Sequence, residues 1–188
     1  MKASFAFEGG CSCRSLRYQM TAEPLIVHAC HCRQCQRVTG SAFVLNALVE
    51  KTNVKLLCGD LKNIHFSDTY HTAYYCGRCA TYVWSEYKSG RFDNCWFMRV
   101  GTLDEPDRSP PDVHIYVESK QPWVVIPDET LRFERFYKIR DVWNSRSIER
   151  MGPSWNPPVR EQGSSHTHAD YMRRIRSSPP LGSVLDHQ

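Results

Sequence analysis

Seven of the nine cysteines in this chain fall into three tight groups: Cys11 and Cys13 as C-x-C, Cys30, Cys32 and Cys35 as C-x-C-x-x-C, and Cys76 and Cys79 as C-x-x-C. Spacings this short let two thiolates from one turn reach the same ion at about 2.3 Å without straining the backbone, which is the chemistry of zinc. Seven thiols divide as four plus three. A closed four-thiolate site is structural, because no position remains for reaction; three thiolates with one open position are the pattern of a catalytic or ligand-binding zinc. Protein groups able to fill that fourth position are His28, His31 and His114; the alternative is a ligand from outside. A lone C-x-x-C is often a redox pair, and a free cysteine is ordinarily a small buried hydrophobe. Three groups in one small chain weigh toward metal instead. Cys58 in "LLCGD" and Cys95 in "NCWF" have no partner at ligand spacing and lie in strand-like runs. Both are expected in the core, with unreactive thiols.

The elements that must carry these thiols read as β-strands. "SFAF", "SLRYQM", "LIVHA", "FVLNALV", "VKLL", "TAYY", "TYVWSEY", "CWFMRVGTL" and "VHIYVES" are short runs rich in Val, Ile, Tyr, Phe, Trp and Thr, separated by Gly, Pro, Asn or Asp. "RQCQRVTG" predicts one helical turn stopped by Gly40, and Gly77 inside "CGRC" helps backbone amides turn toward the sulfurs. The expectation is a mainly β domain over residues 1–137, built of small antiparallel sheets joined by tight loops. From Lys138 the chain turns rich in Pro, Gly, Ser, Arg and His, so residues 138–188 read as an extension that wraps the domain or is mobile. Within it "ADYMRRIR" predicts two helical turns ended by Pro179 and Pro180, and His166 and His168 are expected in solvent.

Composition excludes several classes. At 188 residues, 41% hydrophobic and 12% aromatic, the chain suits one globular domain rather than a disordered one. Residues 138–188 hold eight Lys/Arg against five Asp/Glu, which leaves the first 137 at +1 of the total +4. A nearly neutral domain has no basic face for a nucleic-acid duplex. No apolar run reaches membrane-spanning or signal-peptide length, so a cytoplasmic protein with no membrane partner is expected. Clustered thiols in a reducing compartment fit metal better than disulfides.

The runs "GGCSCRSLRY", "CHCRQCQRVTGSAF", "YYCGRCATYVW", "GTLDEP" and "HIYVESKQPW" follow one another as in the glutathione-dependent formaldehyde-activating family, whose domain is also named for centromere protein V; the chain resembles that family over about residues 5–127. The resemblance implies a β-tent fold, of the kind shared with methionine sulfoxide reductase B, and two zinc ions per chain. It makes Cys11, Cys13, Cys76 and Cys79 structural ligands. It makes Cys30, Cys32 and Cys35 ligands of the catalytic zinc. Arg14 and Ala80 stand where the family usually has glycine, so loop conformations with φ > 0 are the point of departure.

The resemblance also implies a substrate, glutathione or a glutathione adduct with a small aldehyde, and a reaction, reversible formation of S-(hydroxymethyl)glutathione, a carbon–sulfur lyase activity when run backwards. Substrate sulfur would then be the fourth ligand. His31 and His114 are candidate proton donors, and Arg33, Arg37 and Lys51 candidates for the tripeptide's carboxylates, although single surface cations are ordinarily just solvated. Trp123 and the aromatics of "CWFMRV" are candidate groove walls, with core packing the plainer reading. Competing functions are a glutathione carrier or an enzyme on another glutathione–electrophile adduct, a non-catalytic zinc module binding protein or chromatin, and redox chemistry at Cys58 or Cys95.

Overall fold

A computed structural model of the protein describes residues 6–66 and 70–152. Eleven strands follow in chain order: β1 Phe7–Gly10, β2 Arg17–Met20, β3 Ile26–Cys30, β4 Val44–Glu50, β5 Val54–Cys58, β6 Leu61–His65, β7 His71–Cys76, β8 Tyr82–Tyr87, β9 Cys95–Arg99, β10 Val113–Ile115 and β11 Arg132–Phe133. Three short helices accompany them: α1 Arg33–Thr39, α2 Ile139–Val142 and α3 Ser145–Met151. The mainly β expectation holds. Sheet one is antiparallel, in the order β1-β2-β5, and sheet two has eight strands in the order β11-β10-β3-β4-β9-β8-β7-β6. One end of the larger sheet departs from the antiparallel expectation, because β10 runs parallel to both β3 and β11.

Alternation along the central strands separates two cores. In β4 and β9, Ala47, Val49 and Met98 join Tyr18 and Met20 of the small sheet, and Leu16 just before it, in one core. Val44, Leu48, Cys95 and Phe97 belong to the second core, with Phe92, Tyr137 and Trp143. The four-cysteine and three-cysteine groups divide the same way: Cys11 and Cys76 are in the first core, Cys30 and Cys35 in the second. All five residues of β3 are buried, as "IVHAC", covered on both faces, requires.

Helix α1 begins where Cys32 caps it, its sulfur accepting from the Cys35 N–H at 3.4 Å. It ends at Gly40, whose φ of 63° sends the chain out left-handed, the role glycine fills at a helix stop.

Strands β6 and β11 and helices α2 and α3 have weak local signals. β6 is a mostly exposed edge strand, β11 has two residues, and α2 and α3 are held by tertiary contacts more than by propensity. Asn144 caps α3 by accepting from the Ser147 N–H at 2.8 Å, and Ser147 Oγ donates to the Leu25 carbonyl at 2.7 Å. Arg150 forks onto Glu50, Nε to Oε1 at 2.9 Å and Nη2 to Oε2 at 2.6 Å. Residues 138–152 thus pack against the second core. The rest of the C-terminal extension, with "ADYMRRIR", His166 and His168, lies outside the described residues.

Trp143 links this segment to the sheet. Its Nε1–H donates to the Tyr137 hydroxyl at 2.8 Å, and that hydroxyl meets His28 Nε2 at 2.5 Å. Burial drives the His28 imidazole down to about 3, so it is neutral at pH 7. Replacing Trp143 with Ala should cost about 3–5 kcal/mol, the usual loss for a large buried aromatic. A urea-denaturation midpoint equal to that of the unsubstituted protein would show that the segment adds nothing to the core.

Candidate functional site

Cys11, Cys13, Cys76 and Cys79 converge so that their sulfurs all lie within 4.8 Å of one another. Cys11 Sγ is 3.4 Å from Cys13 Sγ, and Cys13 Sγ is 4.0 Å from Cys76 Sγ. Sulfurs around a tetrahedral zinc with bonds near 2.3 Å stand about 3.8 Å apart, so the four fit one ion. Two matching turns present them. The Arg14 N–H donates to the Cys11 carbonyl and the Ala80 N–H to the Cys76 carbonyl, each at 2.9 Å. Arg14 has φ of 60° and Ala80 φ of 58°, so both positions flagged in the sequence carry a side chain in the left-handed region that favours glycine.

Donors favour thiolate at Cys11 and Cys79, whereas at Cys13 the Ser15 hydrogen bonds work downward but burial and the sharing with Cys11 and Cys79 raise the thiol. The Leu16 N–H points to Cys11 Sγ at 3.3 Å and the Arg78 N–H to Cys76 Sγ at 3.4 Å. Burial pushes the Cys11 thiol up, but the Leu16 amide and the hydrogen bonds of Cys13, Cys76 and Ser15 outweigh it and leave it at about 7. The Thr81 hydroxyl, then its backbone and that of Cys13, hold Cys79 down to about 5. Thr81 also accepts from the Ser12 N–H at 3.1 Å, tying the first turn to the second across 69 residues of sequence.

Cys30, Cys32 and Cys35 form a second group, again with all sulfurs within 4.8 Å. Cys30 closes β3, Cys32 caps α1, and Cys35 sits in its first turn. Among the described residues no further His, Cys, Asp or Glu completes this group. His28 is turned to Tyr137, and His31 Nε2 pairs with His114 Nδ1 at 2.9 Å. The sulfurs cannot all be anions by themselves. Hydrogen bonds from Cys30 and Cys35 draw Cys32 down to about 3. The same sharing, joined by burial, pushes Cys30 well up. Cys35 goes to about 12, its hydrogen bond with Cys30 working downward against Cys32 and burial. One negative charge shared by three close sulfurs is a donor set that a dication would ionise fully. Both groups are therefore able to bind metal, and the second offers three protein ligands.

Other candidates are distributed unevenly. His31 and His114 stack beside the second group, ring centroids 5.2 Å apart, and His31 Nδ1 is buried with no hydrogen-bond partner. Burial, then His114 and Lys120, lowers His31 to about 4; burial, then Arg132, lowers His114, so both rings are neutral at pH 7. Arg33 donates to Gln36 on its own helix, and Arg37 is exposed. Lys51 belongs elsewhere: it pairs with Glu86 at 2.6 Å and lies 4.3 Å over the Trp96 ring, beside the first core. Trp123 is 72% exposed, so it builds no core, whereas Phe97 of "CWFMRV" does. Cys58 corrects the expectation made for it: β5 is an edge strand, and the thiol is exposed. Cys95 is buried, and burial lifts it to about 12.

Sequence reading missed a partly buried polar chain around the second group. Gln34 of α1 lies 3.2 Å from His71 Nδ1, His71 Nε2 lies 2.8 Å from the Tyr82 hydroxyl, and Arg99 donates to that hydroxyl, with Asn46 on its other branch. These residues are scattered over four strands and a helix and carry no motif. The one signal was Arg99, a cation in the otherwise apolar run "CWFMRV".

A family model described as glutathione-dependent formaldehyde-activating enzyme matches residues 6–119. A crystal structure of a Rhodobacter sphaeroides protein is similar at 17% identity, covering 52% of this chain and 87% of its own, with a TM-score of 0.41. Curated proteins yield no match to the chain. No described helix is long and apolar enough to cross a membrane.

Two substitutions test the first group. Cys76→Ser should remove a ligand whose metal supplies folding free energy, giving a chain that no longer unfolds cooperatively; a folded Cys76→Ser protein would mean the group is not structural. Ala80→Gly should relieve a left-handed residue and raise stability by about 1 kcal/mol, read as a higher thermal midpoint, whereas a lower midpoint would contradict strain at that turn.

Proposed function

The chain belongs to the glutathione-dependent formaldehyde-activating family, and from that premise we propose that it combines glutathione and formaldehyde reversibly as S-(hydroxymethyl)glutathione, at a site where Cys30, Cys32 and Cys35 would hold a zinc ion. In the lyase direction the same site breaks the carbon–sulfur bond. One observation carries the reading: the three thiols are gathered to share one ion, and no further His, Cys, Asp or Glu among the described residues joins them. Cys11, Cys13, Cys76 and Cys79 hold the second, structural zinc. The catalytic zinc, when bound, supplies a centre that stabilises an incoming thiolate.

The chain's own residues do the rest. Cys30 and Cys32 come from the end of β3 and the cap of α1, so the site is fixed by the strand-to-helix junction rather than by a free loop. Gln36 locks that junction, its Nε2 donating to the His31 carbonyl at 2.6 Å and to the Ser119 carbonyl at 2.9 Å. Because His31 is neutral at pH 7, its Nδ1 is assigned to take the hydroxyl proton of the adduct as the carbon–sulfur bond breaks and to return that same proton to the aldehyde oxygen when the bond re-forms. Its partner His114 fixes the ring through Nε2 and leaves Nδ1 unpaired. Holding sulfur and aldehyde together, the site gains chiefly by orientation.

Cobalt substitution tests the assignment. Glutathione added to protein carrying two cobalt ions should increase the sulfur-to-metal charge-transfer absorption, and an unchanged spectrum at saturation would contradict thiol coordination. Cys32→Ser should fold, keep the structural metal and lose the glutathione response. Loss of folding in that variant would place Cys32 in a structural site instead.

A further inference from the structure

Arg99 is a buried charge to which the chemistry above gives no task. It ends β9, 5% exposed, with Nη1 donating to Asn46 Oδ1, Nη2 donating to the Tyr82 hydroxyl and lying 3.4 Å from Ser85 Oγ, and the Tyr82 ring 4.0 Å from its guanidinium carbon. Its Nε is buried without a hydrogen-bond partner. Every acceptor around it is neutral. Among the described residues it forms no ion pair with a carboxylate. A guanidinium stays protonated at any ordinary pH, and a cation shut away from water is unfavourable unless an anion accompanies it.

Strand register places Arg99 on the face of a group that can carry one. Arg99 stands opposite Asn46 across β9 and β4, Asn46 opposite His28 across β4 and β3, and Cys30 is two residues on from His28. Residues opposite one another, or two apart along a strand, share a sheet face, so Arg99 lies on the face that carries the three-thiol group. The hydrogen-bonded chain through Tyr82 and His71 leads from the guanidinium to Gln34, which stands between Cys32 and Cys35 on α1.

We propose that Arg99 is the internal counter-ion of the three-thiol site and makes that site a receptor for an anionic sulfur, a thiolate rather than a neutral thiol. The inference rests on the reading of Cys30, Cys32 and Cys35 given under Proposed function. Three thiolates around a dication carry one net negative charge, and a thiolate ligand brings the total to two. A second negative charge in a buried place is unfavourable unless a fixed cation stands beside it. Arg99 supplies it as a positioning residue, acting through the field rather than touching sulfur, and Tyr82, Asn46 and Ser85 hold it there. On binding, the thiol proton leaves for solvent, so each glutathione bound as thiolate releases one proton.

The test uses the full chain loaded with cobalt, titrated separately with glutathione and with imidazole, a neutral ligand. Arg99→Gln should weaken glutathione by about tenfold or more while leaving imidazole within about twofold, and Arg99→Lys should recover most of the loss. Equal weakening of both ligands, or glutathione affinity unchanged in Arg99→Gln, overturns the counter-ion role and leaves the proposed function standing. Absence of glutathione binding by the unsubstituted protein overturns the proposed function and this inference with it. Should Arg99→Gln fail to fold, calorimetry of the unsubstituted protein in two buffers of different ionisation enthalpy decides: about one proton released per glutathione supports an anionic ligand, and none overturns it.

Discussion

Mutual repulsion between sulfurs is the constraint on which this protein turns. Seven thiols are pressed into two groups, each with its sulfurs within 4.8 Å, where they cannot all ionise unless a cation joins them. In the first group, amides and hydroxyls are aimed at the sulfurs, so charge is stabilised from outside the cluster as well as within it. In the second, burial is deeper and one proton-sharing network couples all three thiols. A dication would resolve both, with four protein ligands available in the first group and three in the second.

The larger sheet keeps the two centres apart. Its side chains alternate between a core shared with the small sheet, which encloses the four-thiol group, and a core covered by residues 133–151, which encloses the three-thiol group. The four-thiol and three-thiol groups thus lie on opposite faces. The same alternation places Arg99, Asn46, His28 and Cys30 on the face of the three-thiol group, so a charge contributed by β9 shares that face with thiols held by β3 and α1.

Much of this was legible in the sequence. Short cysteine spacings predict three clusters and a four-plus-three division, the family resemblance assigns the residues of each group, and that partition matches the two clusters that the fold assembles. The Gly40 stop was equally open to reading, and the family resemblance pointed to positive φ at Arg14 and Ala80. What escaped depends on tertiary context. Cys58 has core-like neighbours in sequence yet lies on an edge strand, where both faces meet solvent. Composition left residues 138–188 as an extension that wraps the domain or is mobile, and the burial of Trp143 and Ile139 within it is decided by the sheet they cover. The Gln34, His71, Tyr82 and Arg99 chain has no sequence spacing to betray it, since register alone brings β7, β8 and β9 together.

The central claim, that substrate sulfur completes a three-thiolate zinc, is tested most directly by X-ray absorption at the zinc edge with and without glutathione. Averaged over two ions, the account predicts that sulfur coordination rises from about 3.5 to about 4 per zinc when glutathione binds. A shell that does not change with glutathione, or that already contains histidine nitrogen at full occupancy, would contradict it.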